Sequence, residues 1–115
     1  MELQSTVDVG IYDVLDFILK HRRGSGCFRD WPMLAIEVTL LAAAQNRSLY
    51  ITREQCNITG MIIAYPVDDN YFQVDQLLCV SKQAFKDFRG MGRKLFGSRK
   101  CVYRRDDKVK ILKHY

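Results

Sequence analysis

The spacing of apolar residues changes twice along the chain, and this order of segments constrains the fold more than any other feature. From Gly10 to Leu19 apolar residues recur every three or four positions, and a second apolar helix is predicted between Asp30 and Asn46. Strand-like segments fill residues 48–80, and helical spacing returns at Ser81. Helices and strands in separate runs predict an α+β layer architecture.

The middle of the chain predicts an antiparallel three-strand meander. Residues 48–52, 58–65 and 71–80 are rich in β-branched and aromatic side chains, and short polar turns separate them. A weak further strand is predicted near the beginning, from Glu2 to Val7. Two helices therefore precede the meander.

The helices are expected to bury one apolar face each. For the second helix, we predict that Asp30 caps the start and that Trp31, Leu34, Val38 and Leu41 form the buried face. For the helix from Ser81 to Gly97, the predicted face is Ala84, Phe85, Phe88, Met91, Leu95 and Phe96. Trp31 and Phe88 are predicted to be core residues.

The last segment allows two interpretations. After the helix that ends at Gly97, residues 101–103 are predicted to form a short strand, and one more element follows it. Asp106 or Asp107 could cap a last helix over 107–115, which we favour. The alternation of Lys108, Val109, Lys110 and Ile111 instead favours a strand.

Length and composition indicate one domain over residues 1–115. The chain is 48% hydrophobic and 27% charged, and its longest apolar run is far below the ~20 residues of a membrane span. No signal-peptide pattern is present, which predicts a cytoplasmic protein, or a virion protein if the chain is of phage origin. The four cysteines form no C-x-x-C pair, so no metal is expected and the cysteines are interpreted as structural.

Charge is distributed unevenly. Residues 1–80 hold 6 basic and 10 acidic residues, whereas residues 81–115 hold 12 basic and 3 acidic ones. Such a basic segment predicts an anionic partner, which could be an acidic protein surface, a nucleic acid or a phosphate-bearing cofactor. A solvated face without a partner is the alternative interpretation. No membrane partner is expected, and an oligomer is possible.

Four stretches resemble the GCN5-related N-acetyltransferase (GNAT) superfamily. Residues 58–63, ITGMII, resemble its third strand, and residues 73–80, QVDQLLCV, resemble its fourth. Residues 89–95, RGMGRKL, resemble its pyrophosphate loop and the start of the following helix. Residues 107–115 resemble the helix that leads to its last motif. The order of elements matches as well, which implies a GNAT-like fold.

The resemblance implies a site for acetyl-CoA if the protein is active. Strand backbone from Leu78 through Cys79 to Val80 would pair with the pantetheine arm. The residues that would hold the phosphates are Arg89, Gly90, Gly92, Arg93 and Lys94. Asp75, as the ionised carboxylate of the fourth strand, is the candidate base, and its alternative is an exposed strand-face carboxylate.

Three departures from the family argue against activity. Eight residues separate Val80 from Arg89, and they continue the helical spacing, so Gly90 and Gly92 are predicted to lie inside a helix instead of a phosphate loop. The family's catalytic tyrosine position falls on Leu112. The chain is also expected to lack the hairpin that closes the family's fold after the last helix, and in this it looks similar to small internal virion proteins of T7-like podophages.

Three functions remain open at this point. The first is a non-catalytic GNAT-like binding or assembly protein, with no cofactor, that docks an anionic partner on its basic C-terminal face. The second is an active acetyl-CoA-dependent N-acetyltransferase. The third is a small nucleic-acid-binding protein with Tyr103 stacking on a base. Beside the phosphate-site cations, the predicted contacts to an anionic partner are Lys82, Lys86, Arg99, Lys100, Arg104 and Arg105.

Overall fold

The computed structural model describes residues 2–5, 10–23, 27–105 and 108–112, with side chains described for 10–23 and 27–103. Within these residues there are three helices and six strands, which follow the predicted order up to β5. They are β1 (Glu2–Ser5), α1 (Ile11–His21), α2 (Met33–Gln45), β2 (Leu49–Glu54), β3 (Asn57–Pro66), β4 (Tyr71–Cys79), α3 (Lys82–Phe96), β5 (Lys100–Arg105) and β6 (Lys108–Leu112).

The strands form a single sheet in chain order, from β1 at one edge to β6 at the other. All neighbouring pairs are antiparallel except β4 and β5, which are parallel and joined through α3. The predicted three-strand meander is confirmed as β2, β3 and β4. The α+β class with two helices before the meander is confirmed too.

Helices cover both faces of the sheet. α1 and α2 pack on one face, around a core that includes Val14, Ile18, Ile36 and Leu40. α3 packs on the other face, where Phe88, Met91 and Phe96 contact the second core cluster. A Cβ atom built on Gly60 of β3 would lie 2.8 Å from the Phe88 ring, so this glycine permits the close approach of α3 to the sheet.

The predicted buried face of α2 is wrong. Ile36, Leu40 and Ala43 are buried, whereas Leu34 is 70% and Val38 57% exposed. Trp31 and Leu41 of the same predicted face are exposed as well. α2 is apolar all round apart from Glu37 and a few small polar residues, so its sequence pattern did not determine which side faces the sheet.

Further corrections concern the ends of helices. α2 begins after Pro32, and Asp30 does not cap it but adopts a left-handed backbone with φ 62°. In α3 the core position of Phe88 is confirmed, but Phe85 and Leu95 are exposed. Ser81 caps α3 as predicted, because its Oγ accepts a hydrogen bond from the Ala84 N–H at 3.0 Å.

The favoured last helix is also wrong. Residues 108–112 form β6, which pairs antiparallel with β5 through Val102↔Ile111 and Arg104↔Val109. The alternating pattern was therefore the informative one, because β5 offers an open edge that satisfies the backbone of a sixth strand. The predicted cap at Asp106 or Asp107 and residues 113–115 lie outside the described residues.

Candidate functional site

β4 and β5 run together for four residues and then separate. Pairing extends from Tyr71↔Lys100 to Val74↔Tyr103 and stops there. The register between β3 and β4 shifts at the same place, since Ile63 pairs with Gln76 and Ala64 with Val74, which leaves Asp75 as an extra residue in β4. A bulge at this point bends the strand. The second half of β4 therefore remains paired with β3, but its other backbone edge has no pairing with β5.

The connection between α1 and α2 fills the space along that edge. Phe28 donates its backbone N–H to Oε1 of Gln76 at 3.3 Å. Cys27 is buried, and its sulfur accepts a hydrogen bond from the backbone of Leu77. Phe28 is 1% exposed and adopts a left-handed backbone with φ 53°, a conformation that costs an unbranched aromatic residue about 1–3 kcal/mol. Packing and the Gln76 contact hold this strained connection against β4.

The thiols at this site are poor nucleophiles. Burial raises the pKa of Cys27 to about 12, against an ordinary value of 9.0, although the Leu77 hydrogen bond opposes the shift. Burial also raises the pKa of Cys79 to about 12 and that of Cys101 to about 11. Thiolates are the reactive form of cysteine. These three side chains are therefore protonated at neutral pH.

A groove opens where β4 meets α3. Only Val80 and Ser81 separate the end of β4 from the first residue of α3, and neither is a glycine. We name this feature the β4–α3 groove; its volume is about 530 Å³. Its lining residues are Cys79, Val80, Ser81, Lys82, Phe85, Lys86 and Arg89.

The β4–α3 groove brings together part of the predicted site. Cys79, Val80 and Arg89 of the predicted cofactor residues line it, and so do Lys82 and Lys86 of the predicted anion contacts. Leu78 instead lies in the core on the α1–α2 side. Phe85 was predicted to be buried, yet its ring is 46% exposed among the three cations. Ala84 of the same turn is buried against Gly60, so Phe85 is exposed because it lies on another side of α3.

The two motif glycines lie in the middle of α3. Gly90 is exposed, and a Cβ atom added there would meet no atom within 4 Å, whereas Gly92 is buried against the core side. Arg93 and Lys94 follow in the last turns, about 16 Å along the axis from Lys82. The stretch RGMGRKL is therefore a helix, as its spacing from β4 predicted, and does not form a loop.

Asp75 lies apart from the cations. Its carboxylate accepts a hydrogen bond from Nε2 of Gln73 and is exposed. It lines a second groove of about 550 Å³ with Val38, Thr39, Ala42 and Tyr65. Cys79 lies four positions after Asp75 along β4, which is about 13 Å. The candidate base is thus not in the β4–α3 groove.

The remaining predicted cations lie at the other end of α3 or beyond the described side chains. Arg99 donates from Nε to the Asp68 backbone oxygen at 2.7 Å, and Lys100 begins β5 beside the turn that contains Asn70. Arg104 and Arg105 follow Tyr103, where β5 leaves β4, and only their backbone is described. Tyr103 is half-buried against the second core cluster. It is not the free stacking residue that was predicted.

Metal-binding clusters and membrane helices do not occur among the described residues. In that part of the chain, no three histidine, cysteine, aspartate or glutamate side chains are grouped as a metal site would require. None of the described helices is long and apolar enough to cross a membrane.

Comparisons with known proteins identify the fold. No family model matches the chain, and no curated protein matches it by sequence. A protein assigned as an acetyltransferase from Staphylococcus aureus Mu50 has a similar structure, with a TM-score of 0.58 and 16% identity over 90% of this chain and 79% of that one. Ard1 from Thermoplasma volcanium gives a TM-score of 0.59 and 10% identity over 93% and 74%. The chain has the α+β fold of the GNAT-type acetyltransferases.

Proposed function

We propose that this GNAT-fold chain does not transfer acyl groups and instead binds an anionic partner on the surface of α3. The observation that carries the proposal is the two-residue connection Val80–Ser81 between β4 and α3. It replaces a glycine-rich loop with a direct entry into a helix. The proposed role is that of a binding or assembly protein, and a virion is one particle in which such a role would operate.

The residues at the end of β4 do not fit an acyl-CoA. Glycines let a loop bring several backbone N–H groups close to phosphates at a helix N-terminus. Here the connection has no glycine, and the Ala84 N–H is already bonded to the Ser81 hydroxyl. The backbone of Leu77, one residue before the stretch predicted to pair with the cofactor arm, is hydrogen-bonded to the Cys27 sulfur. Gly90 and Gly92 are two turns away, inside α3.

Among the described residues, the predicted base is not placed in the β4–α3 groove, where the Ser81 hydroxyl donates to Oε1 of Glu54 at 3.5 Å. Proton transfer requires a base within hydrogen-bond reach of the reacting atoms. The carboxylate nearest along β4 is Asp75, about 13 Å of strand away from Cys79 and lining the other groove. The protonated thiols of Cys27 and Cys79 do not supply a base at neutral pH.

The β4–α3 groove is chemically suited to an anion. Lys82, Lys86 and Arg89 recur at i, i+4 and i+7, so they form one exposed stripe along α3. α3 carries five basic residues and one acidic residue. The exposed apolar surfaces of Val80 and Phe85 lie in the same groove. A protein surface that combines carboxylates with an apolar contact matches this combination.

The matched test exchanges charge on and off the groove. In Lys86→Glu with Arg89→Glu, we expect binding to an acidic polypeptide such as polyglutamate to weaken about tenfold or more at low salt. Lys20→Glu with Arg23→Glu on the α1 side makes the same change in net charge, and its binding is expected to stay within about twofold of the wild type. Fluorescence anisotropy with a labelled probe measures both. Equal losses in the two double variants would show that only net charge matters and would contradict the proposal.

Single-stranded nucleic acid is the second candidate. It is favoured by the exposed Phe85 ring between Lys82, Lys86 and Arg89, since cations with an aromatic side chain bind unpaired bases. Phe85→Ala separates the two candidates. A loss of about 1–3 kcal/mol in oligonucleotide binding, with polyglutamate binding unchanged, would favour nucleic acid.

A further inference from the structure

We propose that two copies of this chain associate through the exposed side of α2, in an antiparallel pair around a two-fold axis. The contact surface is the α2 outer face, which we define as Leu34, Val38, Leu41, Ala42 and Gln45. All five residues are exposed. This association is independent of the function proposed for α3, which lies on the opposite face of the sheet.

The α2 outer face is the centre of an exposed apolar surface. Around it lie Met33 at 57% exposure and Tyr12, whose hydroxyl donates to Oε1 of Glu37 at 3.0 Å and so joins α1 to the patch. Trp31 adds its exposed edge just before the helix. Six of the ten large hydrophobic side chains that are exposed in the described structure belong to this side of the molecule.

The composition of α2 is that of a helix covered on both sides. A helix that is apolar all round is normally buried, and one that faces water normally has a charged face. The outer face holds no lysine, arginine, aspartate or glutamate. The single charged residue of α2, Glu37, is half-buried and already accepts the Tyr12 hydrogen bond. Charge depletion with aromatic and methionine side chains is typical of the core of a protein interface.

The spacing of the apolar residues points to an identical partner. Leu34, Val38 and Leu41 follow one another at intervals of four and three, the repeat with which two helices interlock their side chains. Leu34 and Leu41 lie equally far from a point between Glu37 and Val38, and Val38 is the apolar residue next to that point. An antiparallel second copy therefore sets Leu34 of each chain opposite Leu41 of the other, with the two Val38 side chains beside the axis. Ala42 and Ala35 allow the helices to approach closely.

The size and charge of the surface also suit a second copy. The exposed parts of the six side chains amount to roughly 400–500 Å² of apolar surface, at the level of the largest patch on a typical monomer. With its polar rim, such a patch approaches the about 800 Å² per partner of a stable interface. Residues 10–47 hold five basic and four acidic residues, so two copies meet here without net repulsion and their basic α3 surfaces face outwards.

Sedimentation of the full chain over a concentration series tests the association. We expect the wild type to sediment at twice the monomer mass, and Leu34→Asp or Val38→Asp to raise the dissociation constant about 100-fold or more. Leu95→Asp is the matched control, because Leu95 is 47% exposed on α3, and it should leave the dimer intact. Circular dichroism confirms that each variant is folded. A monomeric wild type at high micromolar concentration, or a dimer that Val38→Asp leaves unchanged, would overturn the proposal.

Disulfide cross-linking tests the two-fold geometry. Cys56 is the exposed native cysteine, so the variants are built on Cys56→Ser. Val38→Cys should form an intermolecular disulfide at least about tenfold faster than Leu95→Cys, because the axis brings the two Val38 positions together. Chains with Leu34→Cys should cross-link to chains with Leu41→Cys in preference to themselves. Equal rates at positions 38 and 95 would exclude this interface.

Discussion

At the scale of single residues, Gly60 and Gly90 both lie in stretches that resemble the GNAT family, but they differ in the space around them. A side chain would clash at Gly60 and would fit at Gly90. Gly60 lies where α3 crosses β3, with Phe88 at 2.8 Å and Thr52 Oγ1 at 2.9 Å from its would-be Cβ atom. Gly90 lies on the exposed side of α3 with nothing within 4 Å. The sequence resemblance indicated the strand position of Gly60, but only the packing shows why a side chain is excluded there.

Alanine substitutions at the two glycines should therefore have opposite signs. Gly60→Ala should lower the free energy of unfolding by about 1–3 kcal/mol, because its methyl group overlaps Phe88 and Thr52. Gly90→Ala should raise it by about 0.5–1 kcal/mol, because alanine favours a helix interior. Urea denaturation measures both. A destabilising Gly90→Ala would mean that this glycine needs a loop conformation, contrary to the helical course of α3.

The buried thiol of Cys27 should make the free energy of unfolding decrease as the pH rises above 9. Its pKa is raised by burial to about 12 in the fold, against 9.0 for the unfolded chain, so the unfolded state loses its proton first. The contribution of the protonated thiol is thus complete below pH 9 and is lost as pH rises towards 12. Cys27→Ala should reduce the loss of stability between pH 9 and 11 by about 1 kcal/mol per pH unit. Urea midpoints at several pH values measure this, and parallel pH profiles for wild type and variant would contradict it.

At the scale of elements, local pattern predicted which segments are helices and strands but not every face. α1 and α3 each have a charged side, so their apolar spacing indicated most of the buried residues. α2 has no charged side, and its orientation follows from how Ile36, Leu40 and Ala43 meet the sheet. β6 depends on pairing with β5, a contact that local propensity does not contain.

Two phenylalanines of α3 give a matched test of its orientation. Phe88 is 4% exposed in the core, whereas Phe85, three residues earlier, is 46% exposed in the β4–α3 groove. Phe88→Ala should cost about 3–5 kcal/mol of unfolding free energy, and Phe85→Ala less than about 1.5 kcal/mol. Thermal or urea unfolding of the two variants decides this. Similar losses would mean that α3 is rotated relative to this structure.

At the scale of the whole molecule, one fold presents two different surfaces. The α1–α2 side is nearly neutral and carries the α2 outer face, whereas the α3 side carries the basic groove. The charge asymmetry of the sequence predicted the second surface. The sequence did not predict the α2 outer face, because it assigned Leu34, Val38 and Leu41 to the core, whereas the structure exposes them. The proposed anion binding uses the α3 side, and the proposed association of two copies uses the α2 outer face.

The sequence also predicted that a helix occupies the place of the family's phosphate loop. The eight residues between Val80 and Arg89 are more than the family's loop contains, and their apolar residues have helical spacing. In the structure Ser81 caps α3, and the other seven residues belong to this helix. The contact of Cys27 and Phe28 with β4 was not predictable, because it joins residues about fifty positions apart. That contact joins the backbone of the α1–α2 connection to the Gln76 side chain of β4.

Calorimetric titration of acetyl-CoA into the purified chain at low salt tests the central claim most directly. We predict no saturable heat at up to about 1 mM cofactor, because the connection from β4 to α3 offers no phosphate loop. Lys86→Glu with Arg89→Glu should give the same flat titration. Binding at about micromolar concentration that this double variant weakens, and that removal of the cofactor's 3′-phosphate also weakens, would contradict the account and restore an acyl-CoA function.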